Sequence, residues 1–406
     1  MVEKERTHKL KILFLSPRQC WPTRSGAKLR EYHFLQALSR DADVDYAYFV
    51  DPGSIPLSQV ELPLCREVVP VPKPGAYTIG QKLQGVVGKW PLPILNYTSP
   101  LMMEAVQRLL AKNRYDLIHL DSIHMIRYAE GAGTPVVYNW HNIESEAMSR
   151  FAQTVGSGPK SWYARITADK MAALERQMLR DDFGHIVCSE RERVELSRIA
   201  PGARVSVVEN GVDTAHFRTD HGTSRAKNIV FVGTMDYYPN VEAALSFVAN
   251  IWPSIRGRVP GIQLAIVGAN PTQAVRDLAQ TPGITVTGTV PDVRPYYQNA
   301  LAALVPLRTG GGTRLKILEA MAAGVPVVST PLGAEGLAVT PDTDILMANP
   351  DDVAVWTTHL SRLAADAALV DSLAGAGLEL VKSRYDWQIL GRKLTQTYAG
   401  WLGRTQ

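Results

Sequence analysis

Cysteine is scarce in this chain. Cys20, Cys65 and Cys188 are the only three in 406 residues, and their spacing fits neither a disulfide framework nor a zinc site. Such usage suits a reduced compartment. Long uncharged apolar runs are missing too: the nearest are 90–103, broken by three prolines, and 320–334. A bilayer-spanning helix needs about 20 consecutive apolar residues. The opening MVEKERTHKLKILFL is charged and runs straight into a strand, unlike a secretory signal. Charge of one sign is absent in bulk, since 43 Lys and Arg face 39 Asp and Glu, which excludes a nucleic-acid partner on charge alone. The small excess lies in the first 200 residues, 26 basic against 22 acidic, and would suit weak attraction to an anionic bilayer. A cytoplasmic protein is expected, with peripheral contact at the inner membrane surface left open. Walker A and G-x-G-x-x-G loops are also absent.

What is present centres on residues 304–331, LVPLRTGGGTRLKILEAMAAGVPVVSTP. An apolar run, 301–307, leads into Gly310, Gly311 and Gly312. A helix-forming stretch follows from Thr313 to Ala323, with Gly324 and Pro326 as stop signals. A second β-branched run, 325–330, comes next. This is a strand, a glycine loop, a helix and a strand. Glycines there let the backbone approach a ligand, and the free amides at a helix N-terminus favour an anion. Lys316 and Glu319 are three residues apart and share a helix face. The stretch reads either as a nucleotide-diphosphate site with a carboxylate for ribose hydroxyls, or as a packing turn beside a surface ion pair.

The rest of the chain alternates short apolar runs with helical stretches, twice over and without a sequence repeat. KILFLSP (11–17) is followed by a loop holding Pro22, Ser25 and Gly26 and by a helix from about residue 28 to 38. Strands are predicted at 44–50, 67–72, 115–121, 134–140, 185–190 and 205–213, and a long helix at 162–180. Residues 77–103 mix Trp90, Leu92, Ile94, Leu95 and Tyr97 with Lys82 and Lys89. They read as a hydrophobic segment packed on its own domain, with membrane docking or a lipid-acceptor groove as the alternative. His141 and Asn142 follow the strand at 134–140, on the edge where open α/β sheets bind ligands. There the imidazole reads as a donor to a substrate oxygen or as a structural histidine; His119 and His124 have weaker claims. The pattern restarts at 228–240, with a helix at 241–255 and strands at 263–271 and 284–290. At this length two domains are expected, each a doubly wound α/β sheet, facing each other across a central cleft.

These pieces together resemble the retaining glycosyltransferases of family four, the "group 1" transferases of the GT-B fold. The resemblance rests on the small-residue loop 22–30, on His141 and Asn142, and on the NGVD turn at 210–213. It rests further on Phe231 to Gly233, on ITVTGTV with the aspartate and helix that follow (284–300), and above all on LEAMAAGVPVVST. It implies two Rossmann-like domains, 1–208 for the acceptor and 209–385 for the donor. A C-terminal helix, 386–406, would return to the first domain. It implies transfer of a hexosyl group from a UDP- or GDP-type sugar, with retention, domain closure and no metal or other cofactor. The acceptor would be a glycan, a lipid-linked molecule or a small molecule. The variants MDYYPNVEA and PLRTGGGTRLKILEAM resemble a subgroup tied to exopolysaccharide or cell-envelope assembly.

By that resemblance His141, Lys316 and Glu319 are catalytic. Gly233, Thr234, Val290, Gly310, Gly311, Gly312, Thr313, Arg314 and Leu315 bind the donor, and Ser25, Gly26 and Asn142 line the acceptor side. Two departures stand out. The family's first motif glutamate falls on Gly311, so only Glu319 of the usual pair is present. The family's diphosphate-binding Arg and Lys fall on Thr234 and near Asn240, leaving Arg314 or Lys316 to supply positive charge. If both sat in regular helix they would point roughly 200° apart, which favours Lys316 alone. A front-face displacement is expected, because no carboxylate stands out as a nucleophile. The alternatives are a nucleotide-sugar 2-epimerase of the same fold and a degenerate, non-catalytic scaffold or binding partner.

Overall fold

The computed structural model describes residues 9–23, 25–58, 62–75, 77–154, 158–181, 184–219, 227–298, 300–310, 312 and 314–403. The chain divides into two compact units. The first is Met1–Glu209 with Gly391–Gln406, and the second is Asn210–Leu390.

The first unit holds seven strands: β1 (Leu10–Ser16), β2 (Ala42–Val50), β3 (Glu67–Pro72), β4 (Leu117–Leu120), β5 (Val136–Asn139), β6 (Gly184–Val187) and β7 (Val205–Val207). They pair in the order β3-β2-β1-β4-β5-β6-β7, and every pairing is parallel. The second unit holds β8 (Asn228–Val232), β9 (Gln263–Val267), β10 (Ile284–Val286), β11 (Ala300–Val305), β12 (Val327–Ser329) and β13 (Leu346–Met347). Their order is β10-β9-β8-β11-β12-β13, again parallel throughout. Helices cover both faces of such sheets, so the inner strands are apolar without alternation. All of β4 and β11 is buried. In each sheet the winding direction reverses once, between β1 and β4 and between β8 and β11. The loops leaving those strands diverge there and open a crevice at the strands' carboxyl ends.

Several boundaries differ from the sequence reading, each for a local reason. The helix expected at 241–255 is two helices, Tyr238–Asn250 and Trp252–Arg258, since Pro239 and Pro253 each favour a first turn and cannot continue a preceding one. Residues 238–240, expected in the loop, are therefore helical. The strand expected at 284–290 stops at Val286, and Gly288 turns the chain at φ +71°. The helix expected at 28–38 is Gly26–Asp41, and the one expected from Thr313 begins only at Leu315.

The C-terminal helix, Trp387–Trp401, supplies buried side chains to the first unit from residue 391 onward. Leu394 and Tyr398 are fully buried. The Tyr398 hydroxyl bonds the Nδ1 of His119 on β4. A Cβ on Gly184 would lie 2.4 Å from the Trp401 ring, so glycine is what lets the indole lie against β6. Tyr398→Ala should cost about 3–5 kcal/mol, as for other buried aromatics, and lower the first unit's denaturation midpoint. An unchanged midpoint would show that this helix is not part of that core.

Candidate functional site

In the second unit, β8 ends at Val232 and β11 at Val305, on either side of the reversal. Gly233 follows β8 directly. A Cβ there would lie 2.7 Å from Asn240 Nδ2 and 2.8 Å from Lys316 Nζ, so the absence of a side chain lets two polar groups meet over the backbone. Lys316 donates to Asn240 Oδ1 at 2.8 Å, and Asn240 Nδ2 donates to the Thr234 carbonyl at 2.9 Å. Lys316 Nζ also lies 4.7 Å from the Phe231 ring centre, a cation–π contact. Gly233, Thr234, Asn240 and Lys316 are thus one cluster. Among the described residues no ion pair joins Lys316 to Glu319. The surface-pair reading of this face gives way to a lysine turned toward the end of β8.

Arg314 is the residue before the helix Leu315–Ala322, with φ −86° and ψ 83°. It is still in the loop, so the opposition expected from regular helix does not apply. Its Nη1 donates to the Gly312 carbonyl at 2.9 Å, and a Cβ on Gly310 would lie 3.3 Å from its Nη2 and 3.1 Å from Pro239. Gly310 has φ +107°, a conformation that favours glycine. Gly310, Gly312, Arg314 and Leu315 therefore gather at the start of Leu315–Ala322, and Pro239 and Asn240 bring the start of Tyr238–Asn250 to the same place. Gly311 and Thr313 lie outside the described residues. Val290 lies in the loop after β10, partly buried against the second unit's core.

Electrostatics follow from packing. Burial lowers the Lys316 pKa to about 7, with Arg314 adding to the effect and Glu319 opposing it. Burial likewise raises the Glu319 carboxyl to about 7, against Lys316 and the Tyr297 hydroxyl, which lies 3.5 Å away. Such a lysine is poised to gain its full charge when an anion arrives.

In the first unit the corresponding edge holds a buried polar network. Asp121 directly follows β4 and is fully buried. It accepts from Asn139 Nδ2 at 2.7 Å and faces His141 Nε2 at 3.0 Å. Arg30, also fully buried, donates to Asn139 Oδ1 and to the carbonyls of Val208 and Glu209. Burial alone would raise the Asp121 carboxyl, but His141, His119 and Arg18 outweigh it and keep it ionised. Burial lowers the His141 pKa, with Asp121 opposing. His141 is thus neutral near pH 7, and the carboxylate holds its proton on Nε2. Nδ1 is left as an acceptor. The sequence reading left this ring as a donor to a substrate oxygen or as a structural histidine; in the structure the proton-bearing Nε2 is turned to Asp121.

His141 and Asn142 line one small depression with Ser122 and Glu144. Ser25 and Gly26 are not among its lining residues. Ser25 caps the helix Gly26–Asp41, accepting from the Lys28 amide at 3.4 Å. His119 stacks on Phe14 at 4.0 Å and lies 3.7 Å from Asp121, and His124 bonds Ser122. Sequence reasoning missed Asp121 and Arg30. The available signal was an apolar strand, LIHL, followed by an acid.

Two all-parallel sheets of this order, with polar loops at their reversal points, define the GT-B class of α/β proteins. Solved structures agree. A sucrose-phosphate synthase from Thermosynechococcus elongatus superposes with TM-score 0.68 at 18% identity, over 97% of this chain and 99% of that one. HepE of Anabaena, solved with UDP and glucose, superposes with TM-score 0.67 at 16% identity, over 97% and 100%. Residues 33–216 match Glycosyltransferase Family 4, and residues 226–366 match Glycosyl transferases group 1. The chain belongs to this glycosyltransferase family. Among curated relatives, glycogen synthase of Mycobacterium tuberculosis is 25% identical over 58% of this chain and 59% of its own. A GDP-mannose-dependent phosphatidylinositol monomannoside mannosyltransferase of that species is 29% identical over 50% and 58%. The chain thus spans under three fifths of the length of both. The phosphatidyl-myo-inositol mannosyltransferase of Mycobacterium leprae is 24% identical over 74% and 77%. Among the described residues no helix is long and apolar enough to cross a membrane, and no cluster of metal-ligating side chains occurs.

Replacing Asp121 by Asn should move His141 titration to still lower pH, because the carboxylate raises its pKa and burial remains. Imidazole NMR shifts followed against pH would read this. A rise in the His141 pKa would contradict the pairing.

Proposed function

We propose that the protein transfers a sugar from a nucleoside-diphosphate sugar of UDP or GDP type to an acceptor hydroxyl, with retention of anomeric configuration. The observation that carries this reading is Lys316 Nζ beside Gly233 and Asn240, at the start of two helices and in front of a glycine loop. A diphosphate fits such a place: helix N-termini and backbone amides supply partial positive charge, and Lys316 and Arg314 supply cations. Glu319, one turn further along the same face, takes the ribose hydroxyls. These charges stabilise the departing diphosphate as it develops, and the reading invokes no metal.

In the first unit, His141 accepts from a sugar hydroxyl through Nδ1, held in orientation by Asp121. Asn142 adds a polar contact on the acceptor side. Asp121 is buried and already accepts from Asn139 and His141, so it positions rather than attacks. The acceptor oxygen attacks the anomeric carbon on the face the diphosphate leaves. The carbon–oxygen bond to phosphate breaks, the acceptor proton passes to a phosphate oxygen, and the products are a glycoside and a nucleoside diphosphate. The family resemblance supports retention, and the MDYYPNVEA and glycine-loop variants support a role in polysaccharide or glycoconjugate assembly.

Lys316→Ala should weaken UDP or GDP binding at least tenfold by calorimetry, and Glu319→Gln should weaken the nucleotide while leaving inorganic diphosphate unaffected. Unchanged nucleotide affinity in Lys316→Ala would remove the phosphate role. Failure of the unmodified protein to bind any nucleoside diphosphate would favour a non-catalytic scaffold, and conversion of a UDP-sugar without acceptor would favour an epimerase.

Affinity should also depend on pH with a definite sign. The Lys316 pKa is lowered to about 7, so its charge is present below that value and lost above it. Diphosphate binding should weaken as pH rises from about 7 to 9. Near pH 7 binding should take up a proton, seen as a buffer-dependent enthalpy. A pH-independent affinity would place the binding charge elsewhere.

A further inference from the structure

In the first unit, the helix Ile79–Val87 is turned the wrong way round for a soluble protein. Its apolar residues at four-residue spacing, Ile79, Leu83 and Val87, are 86%, 64% and 76% exposed. The side that packs down is the glycine side. A Cβ on Gly85 would lie 2.8 Å from the Tyr163 hydroxyl and 3.2 Å from Leu92. Lys170 fastens the helix end by donating to the carbonyls of Gly85 and Gly88. An amphipathic helix ordinarily buries its apolar stripe, so this arrangement leaves apolar surface for an occupant.

Beside it lies a cavity of about 410 Å³, walled by Leu92, Met148, Phe151 and Ala164 and with Lys82 and Lys160 among its lining side chains. The volume is in the range of small-molecule sites. The walls are mainly apolar, while both lysines are exposed. That combination fits one chemistry, a hydrocarbon chain with an anionic head. Two of the walls, Met148 and Phe151, stand on the helix Glu144–Thr154, which begins three residues after His141. At 1.5 Å per residue they lie about 6 and 10 Å along that helix from Glu144, which itself lines the depression holding His141 and Asn142.

We infer that the acceptor is a lipid-linked phosphate whose chain enters this cavity and whose phosphate meets Lys82 and Lys160. Its sugar or hydroxyl end then runs along Glu144–Thr154 to His141. The exposed row Ile79, Leu83 and Val87 keeps the emerging chain in apolar surroundings at the mouth. This inference rests on the acceptor-side reading proposed above, and it names the substrate class that reading leaves open.

The test uses the full chain and soluble alkyl phosphates of six, eight and ten carbons below their micelle concentrations, with decanol and inorganic phosphate as controls. Affinity should rise about fourfold per methylene, following the transfer of each CH₂ from water. Decyl phosphate should bind more tightly than either control. Phe151→Asp, at a position already 54% exposed, should weaken decyl phosphate at least tenfold. The double variant Lys82→Glu and Lys160→Glu should abolish the preference for decyl phosphate over decanol. Affinity independent of chain length, or unaltered by Phe151→Asp, would overturn the inference. So would a concentration-dependent dimer that Phe151→Asp dissociates in the absence of any alkyl phosphate binding, since a second copy would then cover this face. UDP and GDP titrations on the same samples keep the two readings apart. Nucleotide binding without alkyl phosphate binding sinks the lipid site alone, and the reverse sinks the donor reading alone.

Discussion

A parallel sheet has all its strand carboxyl ends on one edge, and both of its faces must be covered by helices. Both polar clusters of this protein lie where that constraint puts its loops. Every crossover returns the chain to the same starting edge, so the loops that leave the strands collect together on the other. Where the winding reverses, between β1 and β4 and between β8 and β11, adjacent loops turn away from each other and open a crevice. Helices that follow the strands start at that edge, and their dipoles favour negative charge there.

The two units use that edge differently. In the first, buried charges are settled among themselves: Arg30 is held by Asn139 and two carbonyls, Asn139 by Asp121, and Asp121 by His141. Such a network fixes one ring in one tautomer, and its charges are already compensated. In the second, the charge is left incomplete. Lys316 has a neutral amide as its hydrogen-bond partner, and burial depresses its pKa. A lysine in that state gains most when a strong anion replaces the missing counter-charge. The two clusters thus differ in whether their buried charge is met within the protein.

Much of this was readable along the chain. Uninterrupted apolar runs announced buried parallel strands, because strands covered on both faces have no polar side to show. Gly310 and Gly312 announced a loop that needs unusual backbone angles, and LEAMAAGVPVVST announced the helix and strand behind it. Element ends were less legible. Pro239 and Pro253 reset helix starts that hydrophobic spacing alone ran together. Arg314 lay one residue outside a helix whose propensity extended past it, so the angle expected between two helical cations does not apply. Asp121 showed along the chain only as an acid closing an apolar run, and nothing local says which imidazole it will meet.

The sequence by itself determined the alternation of strand and helix, the doubling of that pattern, the placing of glycines before a helix and the presence of Lys316 and Glu319 on one face. These are properties of neighbouring residues, set by local sterics and periodicity. Only the tertiary structure decided that Lys316 turns to Asn240 and Gly233, 76 and 83 positions away in sequence, instead of pairing with Glu319. It alone decided that Asp121 fixes the proton of His141, and that Ile79, Leu83 and Val87 face outward beside a cavity. Each of those outcomes depends on contacts between segments distant in the chain, and no local pattern encodes which distant residue a side chain will meet.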